Sequence, residues 1–163
     1  MELLWSKTEQ QEIKKISPNV IAAIFDKLAE ETQNVDLKNL LGIEFFNDIV
    51  ANPTNYTDLL EGGTYEYNDI TYTFSGLKYV LAYYFYARYL NNAGDYDTFS
   101  GIVQHNYDDA QRVGFGAIKS KINEAKEIAA NYWDECKHFM SVNSGDYPYF
   151  YANHTKRLNY RIL

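Results

Sequence analysis

The stretch from Ile118 to Phe139, IKSKINEAKEIAANYWDECKHF, decides the fold class. Within it Ile118, Ile122, Ala125, Ala129, Tyr132, Cys136 and Phe139 recur at alternating intervals of four and three, the seam of a helix packed lengthwise against others. The rest of its surface is Lys119, Lys121, Glu124, Lys126, Glu127, Asp134 and Lys137, side chains that belong in water. A helix of about 25 residues rises roughly 38 Å, enough to cross a whole domain, so the chain is expected to be mainly helical.

Upstream, Gly76 to Asn92 reads as a second strong helix, capped by Ser75 and stopped by Gly94. It holds Leu77, Val80, Leu81, Tyr83, Tyr84, Phe85, Tyr86, Tyr89 and Leu90, so aromatic rings lie on every side and both the fold and a neighbouring subunit are expected to cover it. Arg88 in its midst is expected to be paired or directed at a subunit interface. Before this helix, Thr64 to Phe74 alternates aromatic and polar residues around Asn68-Asp69, the pattern of a β-hairpin with a two-residue turn. Its exposed aromatic edge, with Tyr65, Tyr67 and Tyr72, exceeds what a small core needs and marks a second candidate subunit contact.

Earlier still, Ser17-Pro18 reads as an N-cap followed by proline in the first turn, opening a helix to about Thr32 with Val20, Ile21, Ile24, Phe25 and Leu28 on its buried face. Asp36 is the next expected cap. Leu37, Leu40, Leu41, Ile43, Phe45, Phe46, Ile49 and Val50 then form a helix apolar around much of its circumference, ending at Asn52-Pro53. A short helical turn through Tyr56, Leu59 and Leu60 stops at Gly62-Gly63. Residues 95–106 are expected to be an ordered loop with a short strand. The resulting organisation is an N-terminal arm or short first helix over residues 1–16, a helical domain over 17–143 with the hairpin 64–74 inserted, and a tail over 144–163.

Composition narrows the function. The single cysteine excludes an internal disulfide, and no stretch reaches the roughly 18 apolar residues of a membrane span, so a soluble protein made in the cytoplasm is expected. The formal charge is −7, yet from His154 to Leu163 Lys156, Arg157 and Arg161 face no acid, so the body carries the acidic surplus. An acidic body repels a phosphate backbone, which argues against direct DNA binding. The 16 tyrosines point instead to contact surfaces, since tyrosine combines a large ring, a hydrogen-bonding tip and few torsions to freeze. In the tail, Tyr147, Tyr149, Phe150 and Tyr151 precede those three basic residues, a combination suited to a docking arm; the alternative is a tail folded back on its own acidic surface.

Catalytic readings are weak. Cys136 and His138 are two apart on a helix and lie on different faces, with Cys136 on the core seam. His105, His138 and His154 have no paired metal-ligand spacing. Glu44 and Asp48 share a helical face, but solvated surface explains them better than an acid-base pair. Neither catalytic residues, a cofactor nor a metal is expected.

Several landmarks carry a resemblance. Leu40-Leu41-Gly42, Asp48 to Pro53, Tyr56 with Leu59-Leu60 and Gly62-Gly63, Tyr65 to Phe74, Gly76-Leu77-Lys78, Leu81-Ala82-Tyr83-Tyr84, Tyr86-Ala87-Arg88-Tyr89 and Tyr132-Trp133 together resemble head-tail connector proteins of tailed phages, of the crAss-like type. The resemblance spans roughly residues 36 to 140. It implies a mainly α connector/adaptor fold, a helical bundle with one long C-terminal helix and an inserted hairpin. It further implies a structural, non-enzymatic virion protein at the head-tail neck, forming a ring of about twelve copies beneath the portal, through which the genome passes. Its partners are then copies of itself, the portal protein and other neck or tail proteins, with no membrane involved. By the same resemblance the portal is the target of the tail residues Tyr147, Tyr149, Phe150, Tyr151, Lys156, Arg157 and Arg161. The alternatives are a tail-completion or scaffold-like binding module outside the connector, and a small enzyme.

Overall fold

The computed structural model describes residues 2–92, 95–98, 101–104 and 115–150. Thirteen elements follow in order: α1 (Lys7–Ile13), α2 (Ala22–Glu31), a π-helical turn (Thr32–Leu37), α3 (Lys38–Leu41), α4 (Ile43–Ala51), a 3-10 turn (Pro53–Tyr56), α5 (Thr57–Glu61), β1 (Gly63–Tyr67), β2 (Ile70–Phe74), α6 (Leu77–Asn92), β3 (Asp95–Thr98), β4 (Gly101–Gln104) and α7 (Phe115–Val142). The protein is mainly helical, with an inserted antiparallel hairpin and one long helix near its C-terminal end.

Helix α7 is the long helix read from its seam, 28 residues that pack along α6. Ala125, Ala129, Cys136 and Phe139 are buried as their spacing demands, joined by Trp133 and Met140. Across this contact Tyr79 and Tyr83 of α6 meet Tyr132 of α7 with ring centroids 5.2 and 5.6 Å apart. The remaining sides of α6 meet α1, α2, the π-helical turn and α5, which makes it the centre of the molecule.

Leu4, Trp5, Gln10 and Ile16 join the N-terminal segment to that core. Trp5 meets Phe25 and Phe85 edge to face at 6.3 and 6.2 Å, and those two rings lie 4.9 Å apart. Leu4, Trp5 and Ile16 are all buried, and truncating a ring such as Trp5 to alanine costs about 3–5 kcal/mol. Two fully buried glutamines fix the segment. Gln33 accepts from the Leu4 N–H at 2.9 Å and donates to the Glu2 carbonyl at 3.0 Å, while Gln10 accepts from the Trp5 indole at 3.2 Å and donates to the Ala82 carbonyl at 3.2 Å. Ser6 and Glu9 form a capping box that starts α1, with Glu9 accepting from the Ser6 N–H at 2.6 Å.

Three expected boundaries move. Helix α2 begins at Ala22 with no side-chain cap, not at Ser17-Pro18. The carbonyls ahead of it are occupied by α1: Lys7 donates to Pro18 O at 3.3 Å and Val20 O at 2.5 Å, and Gln11 to Ser17 O at 3.4 Å, so 17–20 stays a turn. Asp36 caps nothing. The chain stays helical past Glu31, where the Thr32 hydroxyl donates to Leu28 O at 2.8 Å and the widened π-helical turn buries Thr32, Gln33 and Leu37 together. The apolar helix expected over residues 37–50 is broken at Gly42, whose φ of +82° separates α3 from α4.

The hairpin forms as read. Asn68 and Asp69 adopt φ of +51° and +61°, the left-handed pair of a tight two-residue turn, and Tyr65 pairs with Tyr72 across the strands. At its base two backbones nearly touch. A Cβ on Gly62 would lie 2.5 Å from the Phe74 carbonyl oxygen, and one on Gly76 would lie 2.6 Å from that of Leu60, so both positions, at φ of +77° and +81°, require glycine. Strand β3 pairs antiparallel with β4, where a loop with a short strand was expected over residues 95–106.

Candidate assembly surfaces

Strand alternation places Tyr65, Tyr67, Ile70, Tyr72 and Phe74 on one face of the hairpin and Thr64, Glu66, Thr71 and Thr73 on the other. The aromatic face lies on α7. Phe74 stacks on Phe139 with centroids 4.2 Å apart, Tyr65 meets Phe139 edge to face at 5.3 Å, and Tyr65 stacks on Tyr72 at 5.5 Å. His138 is enclosed by the rings of Tyr65, Tyr67 and Tyr72 at 5.7, 5.5 and 5.2 Å, and its Nδ1 is hydrogen-bonded to the Tyr65 hydroxyl. Burial, with the nearby Tyr72, pushes the Tyr65 phenol above its ordinary range. Cover ends before the hairpin does. Tyr67 and Ile70, beside the turn, remain 43% and 55% exposed.

A second open surface was not legible in the helical spacing. Ile21 and Ile24, expected on the buried face of the first helix, are 61% and 49% exposed, while Phe25, Leu28 and Ala29 turn inward. Val35 and Ile43 are likewise exposed, at 46% and 64%. Phe25 packs on Phe85 of α6 and the buried stripe of the helix runs through Phe25, Leu28 and Ala29, so Ile24 falls at its edge and Ile21 precedes the helix, and both stay open.

The other expected contact residues have different surroundings. Arg88 is engaged within the chain, its Nε bonded to Asp36 at 2.7 Å and its guanidinium 3.8 Å from Glu31. That ties α6 to α2 and the π-helical turn. In the tail, Tyr147 is buried against Phe45, Tyr56 and Phe139 at 6.3, 6.2 and 5.6 Å, and Phe150 against Trp133 at 6.1 Å. Burial raises the Tyr147 phenol to about 12, with Asp58 and Asp146 adding to the shift. Tyr147 and Phe150 are therefore core residues rather than free anchors, whereas Tyr149 is 45% exposed. Tyr151, Lys156, Arg157 and Arg161 lie outside the described residues.

Of the groups weighed for catalysis, His105 and His154 lie outside the described residues, while Cys136 and Asp48 have structural surroundings. Burial pushes the Cys136 thiol far above its usual range, which suits packing rather than nucleophilic attack. Asp48 accepts from the Tyr56 hydroxyl and from Asn52 Nδ2 at 3.0 Å, and burial together with that carboxylate drives the Tyr56 phenol strongly upward. Among the described residues no group of three His, Cys, Asp or Glu is placed to hold a metal ion, and no helix is long and apolar enough to cross a membrane.

One charged cluster braces the hairpin base. Lys78, at the start of α6, binds Glu9 of α1 at 2.5 Å and also Glu61 of α5. Burial opposes charge on Glu9, but hydrogen bonds from Lys78 and Ser6 outweigh it and hold the carboxyl below its ordinary range. Lys78 is raised in turn, its two carboxylate bonds overcoming its own desolvation.

No curated protein and no solved structure matches the chain significantly. A family model matches residues 37–159, from the last residue of the π-helical turn through the hairpin, α6 and α7, and the chain thus belongs to the family of unknown function DUF6712.

Proposed function

We propose that the protein is a non-enzymatic structural subunit that assembles with copies of itself into a ring at the head-tail neck of a tailed phage. Its further partners in this reading are the portal protein above it and other neck or tail proteins, with the genome passing through. One observation carries the assembly part: a single chain leaves two unlike apolar surfaces open, the hairpin tip with Tyr67 and Ile70, and the α2 side with Ile21, Ile24 and Val35. A closed ring joins one face of each subunit to a different face of the next, so each copy needs two such surfaces rather than one self-complementary patch. The phage neck and the portal rest on the resemblance of the sequence to connector proteins.

Native mass spectrometry of the purified chain, alone and with the portal protein of the same phage, tests this directly. A closed oligomer of about twelve copies is expected on the portal. A chain that stays strictly monomeric and does not bind its portal overturns the reading.

A further inference from the structure

Where the end of α1 meets α6 and α7, Lys14, Tyr83, Tyr86, Lys121, Glu124 and Ile128 line a cleft of about 210 Å³. The Lys14 ammonium lies 4.7 and 5.6 Å from the ring centres of Tyr86 and Tyr83. Among the described residues neither Lys14 nor Lys121 is paired with a carboxylate, and against the single Glu124 the cleft keeps a positive surplus. That sign is opposite to the net charge of the chain, −7. The cleft is smaller than the roughly 300 Å³ at which ligand pockets begin, so it suits a protruding side chain better than a cofactor.

The hairpin tip has the complementary chemistry. Residues 66–70, EYNDI, are all exposed and carry Glu66 and Asp69, while residues 63–74 hold no lysine or arginine. Tyr67 and Ile70 pair across the last rung, on either side of the Asn68-Asp69 turn, so an aromatic ring, an apolar side chain and carboxylates are presented together. A narrow convex tip matches a cleft, its ring can meet Tyr83 and Tyr86, and its carboxylates can meet Lys14 and Lys121. The tip of the same chain is held elsewhere. Tyr67 lies 5.5 Å from His138, and from Ile128 at the edge of the cleft to His138 helix α7 rises about 15 Å.

We propose that the basic, tyrosine-lined cleft between α1, α6 and α7 receives the hairpin tip of a second copy, a contact that rests on the ring reading and gives the tip its receiver. Each chain then donates one tip and accepts one, a head-to-tail arrangement that closes when the rotation between subunits allows.

Charge exchange between the two sides tests it in the full-length protein assembled on its portal, with folding of every variant checked by circular dichroism melting. Lys14→Glu with Lys121→Glu alters the cleft; Glu66→Lys with Asp69→Asn alters the tip, asparagine being suited to the φ of +61° at that position. Each pair alone weakens assembly by about tenfold or more at low salt and less at high salt, since tip and cleft then carry like charge. A one-to-one mixture of the two variants restores it, because an alternating ring matches every tip to a cleft of opposite charge. Either variant assembling as readily as the unaltered protein, or a mixture that fails to recover, overturns this contact and leaves the ring reading standing. As a check independent of charge, Ile70→Cys with Lys121→Cys in one chain gives a ladder of disulfide-linked copies on mild oxidation, whereas either substitution alone gives dimers at most. A double variant that links no further than a dimer also overturns the contact. Failure of the unaltered protein to assemble at all, even with portal, removes the ring reading and this contact together.

Discussion

The base and the tip of the first hairpin obey the same alternation yet end in different surroundings. At the base Phe74 and Tyr65 lie on Phe139, Gly62 and Gly76 bring two backbones together, and Lys78 ties Glu61 to Glu9. At the tip Tyr67 and Ile70 belong to the same face but are largely open to water. Alternation decides which side chains share a face, whereas the reach of α7 decides where that face stops being core. The base holds the fold together; the tip remains open to water.

The largest effect is expected at the glycines. Gly62→Ala puts a side chain at φ of +77° and 2.5 Å from the Phe74 carbonyl oxygen, so the backbone must shift; a loss of about 3 kcal/mol or more should appear in urea unfolding. A variant of unchanged stability would show that the backbones at the base separate without cost. Phe139→Ala comes next, since it removes the ring on which Phe74, Tyr65 and Tyr147 converge; a cost of about 3–4 kcal/mol is expected, seen as a lower Tm.

Acid should loosen the base more gently. The Glu9 carboxyl is held below its ordinary range in the folded protein, so its contribution is full above about pH 4.3 and fades as the pH falls through the lower, folded value. Because Glu9 keeps about a third of its side-chain surface in water, this contribution is below about 1 kcal/mol. Glu9→Gln should flatten the acid limb of stability against pH, and an unaltered limb would assign it to other carboxylates. The Lys78 contribution has the opposite sense, present below about pH 10.4 and lost as the pH rises through its raised value.

The smallest effect on the fold is expected at the tip. Tyr67→Ser with Ile70→Ser should change stability by about 0.5 kcal/mol or less while weakening self-assembly by about tenfold or more, the division expected when interface side chains do not support the domain. A large stability loss would mean that the tip belongs to the core after all, and the contrast with the base would fail.

Much of this architecture is local in origin, and local features were legible. The Asn68-Asp69 turn, the stop at Gly62 and the seam of α7 each depend on residues close together in the chain. The capping box is a missed instance of the same kind, because Ser6 followed by Glu9 three residues later is a sequence signal for the start of α1. Gly42 is another: glycine inside an apolar run signalled a break at the point where α3 gives way to α4.

The sequence by itself determined the helical class, the hairpin with its turn and aromatic face, and the side of α7 that is buried, since each follows from backbone preference or from a repeat set by helix and strand geometry. Only the tertiary structure decided which apolar faces were covered. Ile24 and Phe25 are adjacent and equally apolar, yet one is exposed and the other meets Trp5 and Phe85. Tyr147 and Phe150 looked like anchors for a partner and pack instead on rings contributed by α4, the 3-10 turn and α7. Gln33, on the π-helical turn, holds the backbone of Glu2 and Leu4 across 31 and 29 residues of chain. Burial is a property of what arrives from elsewhere in the chain, and no local period encodes that arrival.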